Sequence, residues 1–101
     1  MGINVELQTE RGETLQVCAD THSLLPRILQ RADISGTSCL RFIDAFGDTT
    51  FNRGQATVLL QELAGVRPNL EDRERALVDC IIRIAEQAER QAHLYLKFIG
   101  D

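Results

Sequence analysis

The sequence predicts a small α+β domain with the element order ββαββαα, in which a mostly antiparallel sheet carries its helices on one face. Three observations lead to this fold class. Residues 3–8 and 15–19 alternate apolar and polar side chains, which is typical of half-buried strands. Later apolar positions follow helical spacing, and residues 69–99 contain neither glycine nor proline. The length of 101 residues favours a single domain that spans residues 1–101.

Two strands and a short helix are predicted at the start of the chain. Residues 3–8 and 15–19 are expected to pair as a hairpin, with Gly12 in the turn. Ser23 is the predicted N-cap of a helix that ends near Arg31. Because an isolated hairpin is only marginally stable in water, we expect the apolar side of this helix to cover it.

A second hairpin is predicted in the middle of the chain. Residues 39–43 are expected to form the third strand, and residues 49–51 a short fourth strand that follows a turn at Gly47. Asn52 is predicted to cap the next helix. Gln55 stands three residues later, where its side chain can reach back to Asn52 and complete a capping box.

This middle stretch also carries a family resemblance. Residues 41–55 read Arg-Phe-Ile-Asp-x-x-Gly-Asp-Thr-x-Phe-Asn-x-x-Gln, and Leu-Leu-x-Glu-Leu follows at residues 59–63. The pattern resembles a group of small, uncharacterised bacterial proteins of about this length. The resemblance is best over residues 40–63 and looser over the strand-rich start. It implies a shared fold and a bacterial, cytoplasmic setting, and it implies no chemistry, since no activity is established for the group.

One long C-terminal helix of about seven turns is predicted from Asn69 to near Gly100. Its apolar stripe narrows to alanine, and its last turns are apolar almost all round. A helix end of this kind is usually covered on more than one side, and a chain of this size has few elements to cover it. We therefore expect a homodimer through this helix. The predicted interface residues are Ala88, Ala92, Leu94, Tyr95, Leu96, Phe98 and Ile99.

Composition excludes several classes of function. The net charge is −4 and the basic residues are scattered, which argues against a nucleic-acid partner. No apolar run is long enough to cross a membrane, so no membrane partner is predicted. The chain does not open with a basic segment followed by an apolar one, as signal peptides do, and a cytoplasmic location is expected.

The three cysteines are expected to be small buried hydrophobic residues. Cys18, Cys39 and Cys80 are odd in number and form no Cys-x-x-Cys pair, so neither a disulfide framework nor a zinc site is indicated. Cys18 and His22 are close enough in sequence to form a thiolate–imidazole pair. However, no third group that would orient such a pair can be named, and an ordinary structural role is favoured.

The remaining candidates lie at the second turn. Asp44 and Asp48 could bind a divalent cation, and Arg41 could bind an anion, but turn hydrogen bonds and ion pairs explain these residues more simply. No catalytic, cofactor-binding or metal-binding motif is present, and no enzyme activity is predicted. The sequence thus favours a non-enzymatic homodimeric interaction or regulatory module. The alternative is a small-molecule or divalent-metal binding module that uses Arg41, Asp44 and Asp48.

Overall fold

The structure, a computed structural model, describes residues 2–100. It contains four strands and three α-helices over this range. In chain order they are β1 (Asn4–Thr9), β2 (Thr14–Cys18), α1 (Leu24–Arg31), β3 (Asp48–Phe51), α2 (Arg53–Val66), α3 (Asp72–Arg90) and β4 (Leu94–Ile99). Short 3₁₀ turns lie at Leu40–Phe42 and Arg67–Asn69.

The four strands form one antiparallel sheet in the order β2-β1-β4-β3. One face is apolar and buried, and Val5, Leu7 and Phe98 lie on it. The other face is polar, and there Glu6 stands opposite Lys97. The predicted α+β class, with an antiparallel sheet and helices on one face, is confirmed.

The long helix is confirmed for residues 72–90, but its predicted extension to Gly100 is wrong. The chain leaves the helix after Arg90, and His93 adopts a φ of 67°, in the left-handed region. The next six residues form β4, whose side chains are alternately buried and partly exposed. This two-residue period explains the strand, because alternate residues of a strand point to opposite faces of the sheet.

The predicted helical dimer interface is therefore also wrong in its geometry. Ala88, Leu94, Leu96 and Phe98 are buried in the core of a single chain. The other three predicted interface residues do not form a helical surface either: Ala92 is exposed in the turn before β4, while Tyr95 and Ile99 are partly exposed on that strand. The homodimer itself stays a prediction, but it needs another surface.

The predicted third strand is also wrong. Residues 39–43 contain the 3₁₀ turn Leu40–Phe42, in which Leu40 is buried while Phe42 is exposed. The short strand after it is confirmed as β3, and its partner is β4. Residues 39–43 need no strand partner, because side chains from other parts of the chain form hydrogen bonds with some of their backbone groups.

The starts of α1 and α2 show how far the local sequence decides which side chain caps a helix. The Asn52–Gln55 capping box is confirmed: each side chain accepts a hydrogen bond from the other residue's backbone N–H, both at 2.9 Å. Ser23 occupies the N-cap position of α1, but its side chain makes no capping bond. The buried carboxylate of Asp20 caps this helix instead, since it accepts from the N–H groups of Leu24 at 2.7 Å and Leu25 at 2.9 Å.

The buried position of β4 leads to a stability prediction. Leu96 is 0% exposed and lies between Leu7 and Phe51 in the register, whereas Ile99 at the end of the same strand is partly exposed. We expect Leu96→Ala to lower the free energy of unfolding by about 2–5 kcal/mol. Ile99→Ala is the matched control and should lower it less. Urea unfolding measures both values, and equal losses would contradict the described strand.

Candidate protein-binding loop

Two exposed phenylalanines mark the candidate site. Phe42 is 60% exposed and Phe46 is 84% exposed, and both belong to the segment of residues 41–46, which we call the aromatic loop. Over residues 2–100 the only other large apolar side chains with comparable exposure are Leu15 and Val17 on β2, each at 50%. Exposed aromatic groups are a common feature of protein-binding surfaces.

A carboxylate from α2 holds the turn that leads into the aromatic loop. Glu62 accepts hydrogen bonds from three consecutive backbone N–H groups, those of Ser38 at 2.6 Å, Cys39 at 3.0 Å and Leu40 at 3.0 Å. These are the donors that the start of a helical turn leaves without intrahelical partners, and a negative charge is favourable there. The turn is thereby fixed to α2. Nothing in the local sequence of residues 38–42 indicates this contact, and sequence reasoning missed Glu62.

The end of the aromatic loop is held by its own turn and by the sheet. Asp44 Oδ1 accepts from the Phe46 N–H at 2.8 Å, and the Asp44 N–H donates to Thr49 Oγ1 at 3.1 Å. The Gly100 N–H, just past β4, donates to the Gly47 carbonyl at 2.7 Å. A Cβ on Gly100 would lie 2.5 Å from the loop backbone, so only glycine allows this approach. The loop backbone is therefore ordered while its two rings remain in water.

Each of the three ligand candidates has a partner within the chain. The Asp44 carboxylate completes the turn, and Asp48 Oδ2 lies 3.4 Å from Lys97 Nζ. The Arg41 guanidinium lies over the Phe42 ring, 4.7 Å from its centroid, in a cation–π contact. Across residues 2–100, no group of three or more His, Cys, Asp or Glu side chains is arranged to hold a metal ion. The turn and ion-pair roles thus account for both aspartates.

The outer face of the sheet offers a contrast, because Glu6 is hydrogen-bonded and Lys97 is paired with Asp48. Glu6 accepts hydrogen bonds from Thr14 Oγ1 at 2.7 Å and Gln8 Nε2 at 2.8 Å. The Thr14 bond, the Gln8 bond and the charge of Lys97 together lower the pKa of Glu6. This face is a satisfied polar network, and the aromatic loop is the more distinctive surface.

The cysteine prediction is wrong for two of the three residues. Cys18 at the end of β2 and Cys80 on α3 form a disulfide, with their Cα atoms 6.0 Å apart. Cys39 is free and buried, as predicted, and burial followed by the nearby Glu62 charge raises the pKa of its thiol. The sequence separation of 62 positions from Cys18 to Cys80 explains why cysteine spacing alone did not indicate the bond.

A cavity of about 340 Å³ lies beside the disulfide. Cys18, Cys80 and His22 all line it, so the structure brings Cys18 and His22 to the same place. Because the Cys18 sulfur is bonded to Cys80, it is not available as the thiolate of a thiolate–imidazole pair.

No family model, curated protein or solved structure matches the chain. The resemblance of residues 40–63 to small bacterial proteins stays a prediction. Within residues 2–100, the helices are all too short or too polar to cross a lipid bilayer.

The Glu62 contact leads to a second prediction. Glu62→Ala leaves the three N–H groups of residues 38–40 without their acceptor, and we expect a loss of about 1–3 kcal/mol in the free energy of unfolding. The buried Cys39 thiol should also react faster with a maleimide, because the loop opens more often and because the Glu62 charge no longer raises the pKa of the thiol. Glu86→Ala on α3 is the control and should change neither value. Unchanged Cys39 labelling in Glu62→Ala would contradict the proposed role of the carboxylate.

Proposed function

We propose that this chain is a non-enzymatic protein-binding module with a regulatory role, and that the aromatic loop anchors a partner protein. The observation that carries the proposal is the high exposure of Phe42 and Phe46 on a backbone held by Glu62, Asp44 and Gly100. An exposed phenylalanine on a mobile loop would lose conformational freedom on binding. In this chain the loop backbone is already fixed in the folded state. Less conformational entropy is therefore lost on binding, which favours association.

The expected partner surface follows from the side chains of the aromatic loop. Full burial of one large apolar side chain is worth about 1.5–3 kcal/mol, so two rings supply enough energy for an anchor. Arg41 lies against Phe42 and carries a positive charge to the same place. We therefore propose a partner with an apolar pocket for the rings and a carboxylate that pairs with Arg41.

The metal or small-molecule alternative has less support. It requires Asp44 and Asp48 to turn their oxygens to one ligand, whereas Asp44 binds the Phe46 N–H and Asp48 pairs with Lys97. A bacterial cytoplasm remains our proposed setting, on the basis of composition and the sequence resemblance. Disulfides are uncommon in such a compartment because small thiols reduce them, so the Cys18–Cys80 bond would undergo thiol exchange there.

For the homodimer that the sequence predicts, we propose the outer edge of β2 as the interface. β2 is an edge strand, and residues 14–19 contain no charged residue and no proline, the usual protections of such an edge. Leu15 and Val17 are each half exposed on it. Antiparallel pairing of β2 with a second copy across a two-fold axis would join two four-stranded sheets.

The aromatic loop is tested by a photo-reactive amino acid placed at position 46, with position 50 on β3 as the reference site. Proteins captured at position 46 but not at position 50 are then purified and titrated against the chain. We expect the double substitution Phe42→Ser with Phe46→Ser to weaken Kd by tenfold or more, about 1.4 kcal/mol. Thr50→Ala, at the exposed reference position on β3 and outside the proposed dimer edge, should leave Kd unchanged. Equal Kd values for the wild type and the double variant would refute the loop as anchor.

The dimer interface is tested by Val17→Lys, which places a positive charge on the paired edge of both copies. Native mass spectrometry and sedimentation at roughly 0.1 mM, far above a micromolar Kd, should show a wild-type dimer and a Val17→Lys monomer. Thr50→Lys adds the same charge on β3 and should remain dimeric. A monomeric wild type, or a dimeric Val17→Lys, would rule out the β2 interface.

A further inference from the structure

The Cys18–Cys80 disulfide has one protected sulfur and one accessible sulfur. Cys18 is 2% exposed at the end of β2, whereas Cys80 on α3 is partly exposed. Thiol–disulfide exchange requires an incoming thiolate to reach one of the two sulfurs, so access decides where the reaction begins. The greater exposure of Cys80 favours it as the site of attack.

The adjoining cavity can hold the body of a small thiol compound. Its volume of about 340 Å³ is within the range of ligand pockets, which begins near 300 Å³. Leu24, Ala76 and Leu77 supply apolar lining, and both sulfur-bearing residues border the same space. A thiol that enters this cavity can therefore bring its sulfur close to the disulfide.

The charge around the cavity favours an anionic compound. Arg73 lies seven residues before Cys80 on α3, a spacing that places both on the same face of the helix. Among the residues that the structure describes, the Arg73 guanidinium makes no ion pair. The one carboxylate at the cavity belongs to Asp20, which is buried and accepts three backbone N–H groups, those of Ile3, Leu24 and Leu25. Arg73 is thus a free positive charge beside the cavity.

We infer that Cys80 is a site of reversible modification by small anionic thiols that bind in this cavity. The thiolate of the compound attacks Cys80 Sγ, a new S–S bond forms, and the Cys18–Cys80 bond breaks. Cys18 leaves as a thiolate and takes up a proton. Attack of the Cys18 thiolate on the mixed disulfide reverses the reaction. A second molecule of the thiol instead releases Cys80 and leaves as the oxidised disulfide of the compound, so the electrons balance.

The experiment compares two probe thiols of opposite charge, mercaptoacetate and 2-aminoethanethiol. Intact-mass measurements after acid quenching follow the mixed disulfide, and peptide mapping assigns it to a cysteine. Each rate is divided by the rate of the same thiol with an uncharged small-molecule disulfide, which removes the difference in intrinsic reactivity. We expect mercaptoacetate to react with the wild type about three to ten times faster on this scale, the effect of one partly screened charge.

The variants separate Arg73 from general electrostatics. Arg73→Gln should bring the normalised rate ratio close to one, while Arg73→Lys, which keeps the charge, should preserve the preference. Arg90→Gln makes the same charge change near the end of α3 and should behave as the wild type. The inference is overturned if Arg73→Gln keeps the full preference, if the mixed disulfide maps to Cys18 or Cys39, or if freshly purified, acid-quenched protein carries no disulfide.

Discussion

The sheet depends on the pairing of β4 with both β1 and β3. This last strand joins the N-terminal hairpin to β3, and without it those two parts would share no ladder. Phe98 illustrates this double pairing, since it lies opposite Val5 of β1 and opposite Thr49 of β3. Its ring also packs edge-to-face on Phe51, with ring centroids 5.6 Å apart, an arrangement favoured by the aromatic quadrupole.

The same strand determines the position of the aromatic loop. Where β4 ends, Gly100 donates to Gly47 and approaches the loop backbone more closely than a side chain would allow. At the other end of the loop, Glu62 draws three N–H groups toward α2. The loop is therefore held between the sheet and a helix, although its own phenylalanines contribute little burial. The proposed anchor is thus ordered by groups outside it, as pre-organised binding surfaces are.

The features that the sequence predicted correctly are those that local patterns decide. The capping box of Asn52 and Gln55 needs only four residues, and the strand at residues 4–9 follows from simple alternation. The predictions that were wrong concern features that depend on residues distant in sequence. Residues 39–43 have the apolar content of a strand, and it is Glu62, about twenty residues later, that makes them a turn. Pairing of Cys18 with Cys80 is likewise decided by the fold.

The prediction for the end of the chain was wrong for a different reason. Residues 94–99 carry a legible two-residue alternation, but no glycine or proline separates them from α3, and the absence of a breaker favoured a longer helix. His93 makes the turn with a backbone conformation that non-glycine residues adopt rarely. The predicted dimer interface failed for the same reason, because Leu94, Leu96 and Phe98 were assigned to a helix surface and lie instead on the buried face of the sheet.

The disulfide and the aromatic loop act on different parts of the molecule. Four of the five residues of β2 are exposed, so the strand is held by its ladder with β1, by the bond from Cys18 to Cys80, and by a 2.6 Å hydrogen bond from Gln16 to Gln87. Opening the disulfide removes the covalent link between this edge and α3. The aromatic loop keeps its ties to α2 and β4. Thiol modification of Cys80 would therefore act on the edge proposed for self-association, whereas the contacts that hold the aromatic loop do not involve the disulfide.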